Sequence, residues 1–156
     1  MRRAKDIVER ASAAGIVIAT AESCTGGMIS AAITDIAGSS RVLDRGFVTY
    51  SNAAKMDMLG VSAETLDTYG AVSEQVAAEM AAGALKHSNA TLSVSVTGIA
   101  GPGGSDFKPE GRVCFGIATK DGVETQQVDF GPLARAGVRN ATVSHAMDLL
   151  LEKLPN

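Results

Sequence analysis

Apolar side chains return at Ala4, Ile7, Val8, Ala11 and Ala14, the spacing of one helical face, and Gly15 ends the run. A helix is predicted over 4–14. Ile16–Ala21 (IVIATA) is unbroken and of strand length, and after two polar residues a second apolar stretch, Cys24–Ile36, is predicted as helix. Phe47–Tyr50 reads as a strand. Ser51 or Asn52 can then cap a short helix, Ala53–Leu59, that Gly60 closes. Ser62 starts another short helix, and Ser73 caps a longer one in which Val76, Met80 and Ala84 run parallel to Ala77, Ala81 and Leu85. Leu92, Val94 and Val96 alternate with Thr and Ser as a strand over 91–97. Two more strands, 112–119 and 123–130, flank Asp121-Gly122, a hairpin turn signal, and Gly131-Pro132 opens a last helix reaching about Leu154. The order predicts an α/β fold in three layers: a mixed, mostly parallel sheet covered by helices, with an antiparallel hairpin near the C-terminus.

With 156 residues, 46% of them apolar, the chain is expected to form one domain over 1–156 with a substantial core. Its net charge of −3 and the lack of any Lys/Arg cluster with aromatics speak against a nucleic-acid partner. Apolar runs fall short of the roughly 18 residues that span a bilayer, and Met1-Arg2-Arg3 leads into a charged segment, so a soluble, cytoplasmic protein without a membrane partner is expected. Cys24 and Cys114 make no disulfide framework and match no metal-ligand spacing. Neither metal nor cofactor is expected. The small-residue helix Ala77–Ala84 could pack against a second copy, which points to a homo-oligomer.

Candidate chemistry gathers where the first strand turns into the second helix, at Glu22-Ser-Cys-Thr-Gly-Gly27. The first N–H groups of a helix lack intrahelical partners, so they can hold a phosphate or the oxyanion formed when Ser23 attacks a carbonyl. Capping by Ser23, Cys24 or Thr25 is the plainer use of the same residues. A second informative segment, Gly98–Gly111, holds five glycines and two prolines in fourteen residues between strands, and long ordered loops of this kind often carry function. Thr97 stands where it begins. A serine nucleophile needs a base. His87 falls at a helix end and His145 mid-helix, neither at a strand end, whereas Lys55 follows a strand and a cap among small and apolar residues. Lys108 is the other lysine not placed on an obviously solvated surface. Cys24 offers a thiol alternative at the same turn.

Taken together, Ala21-Glu-Ser-Cys-Thr-Gly-Gly27, Gly46-Phe-Val-Thr-Tyr-Ser-Asn-Ala-Ala-Lys55, Gly70-Ala-Val-Ser-Glu74 and Thr97-Gly-Ile-Ala-Gly-Pro102 through Lys108-Pro-Glu-Gly111 closely resemble the CinA C-terminal domain family. The resemblance runs from first helix to last in the same order. It implies a serine–lysine amidohydrolase that deamidates nicotinamide mononucleotide, in the stand-alone short form, with Ser23 as nucleophile, Lys55 as base, and Tyr50 and Thr97 beside them. On that reading the turn N–H groups of Cys24, Thr25 and Gly26 would receive the oxyanion. The Gly98–Gly104 backbone, Gly98 and Gly101 included, together with Arg45, Lys108 and Arg139, would offer donors to the substrate's 5′-phosphate, and Arg45 would help to depress the Lys55 pKa. Related sequences often read Lys-Pro-Val-Gly-Thr-Val where this chain has Lys108-Pro-Glu110-Gly-Arg112-Val113, which leaves the role of that loop open. A nucleotide- or phosphate-binding module without catalysis would use the same turn and glycine loop.

Overall fold

Strand β1 (Ile18–Glu22) is buried along its whole length, as an unbroken apolar run requires, because both neighbours and both faces are occupied. The computed structural model describes residues 2–105 and 107–156. In chain order the other elements are α1 (Arg2–Ala14), α2 (Met28–Thr34), β2 (Leu43–Val48), α3 (Asn52–Leu59), α4 (Ala63–Tyr69), α5 (Glu74–Lys86), β3 (Leu92–Gly98), β4 (Arg112–Thr119), β5 (Gly122–Asp129) and α6 (Ala134–Lys153). Among the described residues the strands form one sheet of order β2-β1-β3-β4-β5. β1 pairs in parallel with β2 and β3, and β4 runs antiparallel to both β3 and β5. The sheet is therefore mixed, with the expected C-terminal hairpin at β4–β5.

Helices α1, α2 and α6 cover one face, where Ile7, Ile18, Ile33, Val94, Phe115 and Leu150 form the larger core. α3, α4 and α5 cover the other over a smaller core of Ala19, Ala21, Leu59, Val76 and Met80. The serines that alternate along β3 face this second layer, not solvent. Ser93 Oγ donates to Ala81 O at 2.7 Å and Ser95 Oγ to Ala77 O at 2.6 Å. Ala77, Ala81 and Ala84 of α5 are thus buried against its own sheet, which leaves Ala78 and Ala82 as the small residues of 77–84 that are not fully covered. Among the described residues no helix is long and apolar enough to cross a membrane.

Several boundaries move, three of them around the first strand crossing. β1 begins at Ile18, two residues after the expected start at Ile16. β2 starts at Leu43, four residues before the expected Phe47, because an edge strand with one partner need not be apolar. Gly46 lets it pass close under α2: a Cβ there would come within 2.3 Å of Ser30 Oγ and 2.7 Å of Thr20 Oγ1. α2 begins at Met28, four residues after Cys24, since Gly26 (φ 58°) and Gly27 (φ 105°) take left-handed conformations that a helix cannot.

Candidate active site

The chain leaves β1, crosses to β2 on one side and returns to β3 on the other, so a crevice opens at the carboxyl end of β1 where the order reverses. Ser23 sits there. Its N–H donates to Val96 O of the neighbouring strand (3.2 Å) and its carbonyl accepts from Gly26 N (3.0 Å), which fixes the turn.

Glu22 holds this turn from beneath. It is fully buried, and its Oε1 accepts from Thr25 Oγ1 (2.5 Å), Gly27 N (3.2 Å) and Ile29 N (2.9 Å) while Oε2 accepts from Ser30 N (3.0 Å). The start of α2 is therefore capped internally by a carboxylate and is closed to a ligand phosphate. Gly26 N–H is also used, by Ser23. Among the described residues the N–H groups of Cys24 and Thr25 donate to no backbone carbonyl.

Lys55 lies in the first turn of α3, whose cap is Ser51 Oγ accepting from Ala54 N (3.0 Å). Side chains on a helix lean toward its N-terminus, so the long Lys55 stem runs back under the turn and is only 1% exposed. Its Nζ lies 3.2 Å from Ser23 Oγ, 3.1 Å from Thr49 O and 3.4 Å from Tyr50 O. Among the described residues no carboxylate pairs with it. Burial pushes the Lys55 pKa below the usual ammonium value, opposed weakly by Cys24. A neutral amine here can spend both hydrogens on the two carbonyls and leave its lone pair facing the serine hydroxyl. Burial pushes the neighbouring Cys24 thiol up to about 11, its own backbone N–H opposing and Glu22 reinforcing, so this cysteine remains a thiol.

A cavity of about 220 Å³ opens onto the pair, lined by Ser23, Cys24, Tyr50, Asn52, Lys55, Ala71, Val72, Thr97, Gly98, Ala100 and Arg135. Tyr50, Thr97 and Gly98 thus line the cavity that opens onto Ser23 and Lys55. A larger depression, about 820 Å³, lies among Leu85, Leu92 and the β4–β5 turn at the opposite end of β3, and neither Ser23 nor Lys55 lines it.

The expected cations are placed differently. Arg45 bonds Asp44 Oδ2 (2.7 Å) and His87 O (3.0 Å) near the start of β3, away from Lys55, so it neither lines the cavity nor depresses that lysine. Lys108 donates to Tyr69 O and Val72 O, both at 2.6 Å. Arg139 donates to Cys24 O (3.1 Å) and Thr25 O (3.3 Å), bracing the Ser23 turn. Thr25 is fully buried, with its hydroxyl on Glu22. Gly101 lies outside the cavity lining, and its carbonyl accepts from Arg135 Nη1 (2.7 Å). Both departures in the Lys108–Val113 segment have local explanations. Arg112 pairs with Asp129 across the β4–β5 ladder (2.9 Å), and Glu110 accepts from Gly103 N within the glycine loop. His145 packs against Phe115, ring centroids 4.6 Å apart, and contacts Gln126.

A sequence profile of the CinA C-terminal domain matches residues 2–154. The chain belongs to the CinA C-terminal domain family. It is 65% identical over 111 residues to a nicotinamide-nucleotide amidohydrolase PncC from Enterobacter agglomerans, covering 70% of this chain and 68% of that one. With the PncC of Escherichia coli K12 it shares 47% identity over 154 residues, 98% of this chain and 93% of that one. Two longer CinA relatives are spanned only to 36% and 29% of their length. Among solved structures, the competence/damage inducible protein CihA from Agrobacterium tumefaciens superposes with a TM-score of 0.94 at 50% identity, over 97% of this chain and 93% of that one.

Three contributors escaped the sequence reading of this CinA domain. Arg135, in the first turn of α6, reaches Tyr50 Oη (2.9 Å) across the cavity mouth. A cation at a helix N-terminus opposes the helix dipole, and that mismatch was its signal. Asn52 lines the mouth directly beside the cap of α3. Glu22 was marked only by being an acid that ends an apolar strand, a place where a charge needs several donors.

Proposed function

We propose that this chain is an amidohydrolase that converts nicotinamide mononucleotide and water to nicotinate mononucleotide and ammonia through an acyl-enzyme on Ser23. The observation that carries this reading is the buried, unpaired amine of Lys55 at 3.2 Å from Ser23 Oγ. The names of the PncC relatives supply the substrate class. Lys55 takes the Ser23 proton as Oγ bonds to the carboxamide carbon, and the N–H groups of Cys24 and Thr25 receive the oxyanion. The carbon–nitrogen bond then breaks, and Lys55 returns its proton to the departing ammonia. Water attacks the ester, gives its proton to Lys55, and Ser23 is released with that proton. Thr97 and Tyr50 stand beside the pair.

A cavity of about 220 Å³ is smaller than the roughly 300 Å³ at which sites for whole drug-sized ligands begin, so it suits the carboxamide ring and leaves the ribosyl phosphate at the mouth. Arg135 and Asn52 are the polar side chains there, and Arg135 is the cation we assign to the phosphate. The binding-module alternative relied on the helix N-terminus together with the glycine loop, and Glu22 fills the first of these. Incubating the purified protein with nicotinamide mononucleotide and measuring ammonia tests the proposal; ligand binding without ammonia would leave the module.

A further inference from the structure

Four consecutive carbonyls, from Tyr69 to Val72, carry the chain out of α4 toward α5, and a side chain donates to every one of them. Lys108 Nζ donates to Tyr69 O and Val72 O, both at 2.6 Å. Ser73 Oγ donates to Gly70 O and Thr97 Oγ1 to Ala71 O, both at 2.8 Å. Gly70 is left-handed (φ 79°), and a Cβ there would come within 3.0 Å of Lys108 Nζ, so the ammonium lies close against bare backbone. This turn is also a wall of the site, since Ala71, Val72 and Thr97 line the Ser23 cavity.

We propose that Lys108 is a positioning residue for hydrolysis at Ser23. Its ammonium bridges the two ends of the 69–72 turn, and the turn, through Ala71 O, sets the direction of the Thr97 hydroxyl and the wall against which the carboxamide lies. Lys108 serves the reaction from the glycine-rich loop without touching substrate. An ammonium with two of its three hydrogens spent on carbonyls is poorly free to clamp a phosphate. The inference rests on the amidohydrolase reading above.

Lys108→Met keeps the aliphatic stem and removes the donors. Turnover of nicotinamide mononucleotide and of nicotinamide riboside should fall by the same factor, on the order of 10- to 100-fold, as expected for a displaced wall. KM should stay within about twofold for each. Hydrogen exchange at Gly70, whose N–H bonds Leu66 O at 2.9 Å, should accelerate while β1 amides stay protected. A loss confined to KM for the mononucleotide makes Lys108 a phosphate ligand and overturns the proposal, as does unchanged kcat or unchanged exchange. Thr97→Val, which leaves Lys108 in place, cuts the turn from the cavity and should lower kcat for both substrates; unchanged kcat there overturns it too. A wild-type protein that releases no ammonia sinks the amidohydrolase reading, and the Gly70 exchange still decides whether Lys108 fixes the turn.

Discussion

At the scale of single residues, the separation of Ser23 from Cys24 is the sharpest point. Both line the cavity, but the amine of Lys55 faces the hydroxyl, and burial beside Glu22 keeps the thiol protonated. Ser23→Ala is expected to cut ammonia release by on the order of 10³-fold or more with the fold intact, because only binding and oxyanion contacts remain. Cys24→Ala should change the rate little; inactivation of a folded Cys24→Ala protein would transfer the nucleophile to sulfur. On the proposed mechanism Lys55 sets the pH dependence. Its reactive form is neutral and its folded pKa is lowered, so kcat/KM should rise with pH through a value below the ordinary ammonium range. Lys55→Gln should abolish that limb with most of the rate, and Lys55→Arg should be nearly as damaging, since a guanidinium holds its proton. An arginine variant with wild-type turnover would make residue 55 a source of charge rather than a base.

Elements show what spacing alone could reveal. The caps at Ser51, Ser62 and Ser73 are chemical signals in the sequence itself, and each helix they open begins within a residue of expectation. The start of α2 was not legible in the same way. Its cap is Glu22, which lies before the turn and reaches forward across it, a contact set by the turn geometry of Gly26 and Gly27 rather than by helical spacing. Edge strand β2 hid for a related reason: its first residues meet solvent on one side and carry little hydrophobic pattern. Ser23 and Lys55 each follow a strand end on consecutive crossovers, but their pairing was implied by the family resemblance and not by that placement, and Arg135 enters from the far end of the chain and shares no local motif with them. The carboxylate cap has a measurable consequence. Glu22→Gln is isosteric but turns an amide N–H₂ toward backbone donors, leaving buried N–H groups unpaired, and should lower stability by on the order of 3 kcal/mol in urea titrations. An unchanged midpoint would mean that the carboxylate is dispensable to α2 and that the Ser23 turn is held by its backbone bonds and Arg139.

For the whole molecule, the decisive fact is that the sheet gathers its chemistry at one edge. β1, β2 and β3 all end there, α6 brings Arg135 to Tyr50 from its first turn, and the four cations at issue are sorted by that arrangement: Arg45 by His87 before β3, Arg139 on the Cys24 and Thr25 carbonyls, Lys108 on the 69–72 carbonyls and Arg135 at the mouth. Substrate truncation can read this sorting directly. If Arg135 meets the 5′-phosphate, remote binding energy helps to hold the carboxamide over Ser23, so loss of the phosphate costs turnover as well as affinity. A hydrogen bond to a charged group contributes about 1.5–3 kcal/mol, which places nicotinamide riboside about 10- to 150-fold below the mononucleotide in kcat/KM, with free nicotinamide lower still. Arg135→Ala should erase most of the difference between mononucleotide and riboside. Arg139→Ala should weaken both alike, because it loosens the turn that carries the nucleophile, and Arg45→Ala should leave both unchanged. Equal efficiency of the wild-type protein toward mononucleotide and free nicotinamide would remove phosphate anchoring altogether, and the 220 Å³ cavity would then be the whole substrate site of a general small-amide hydrolase.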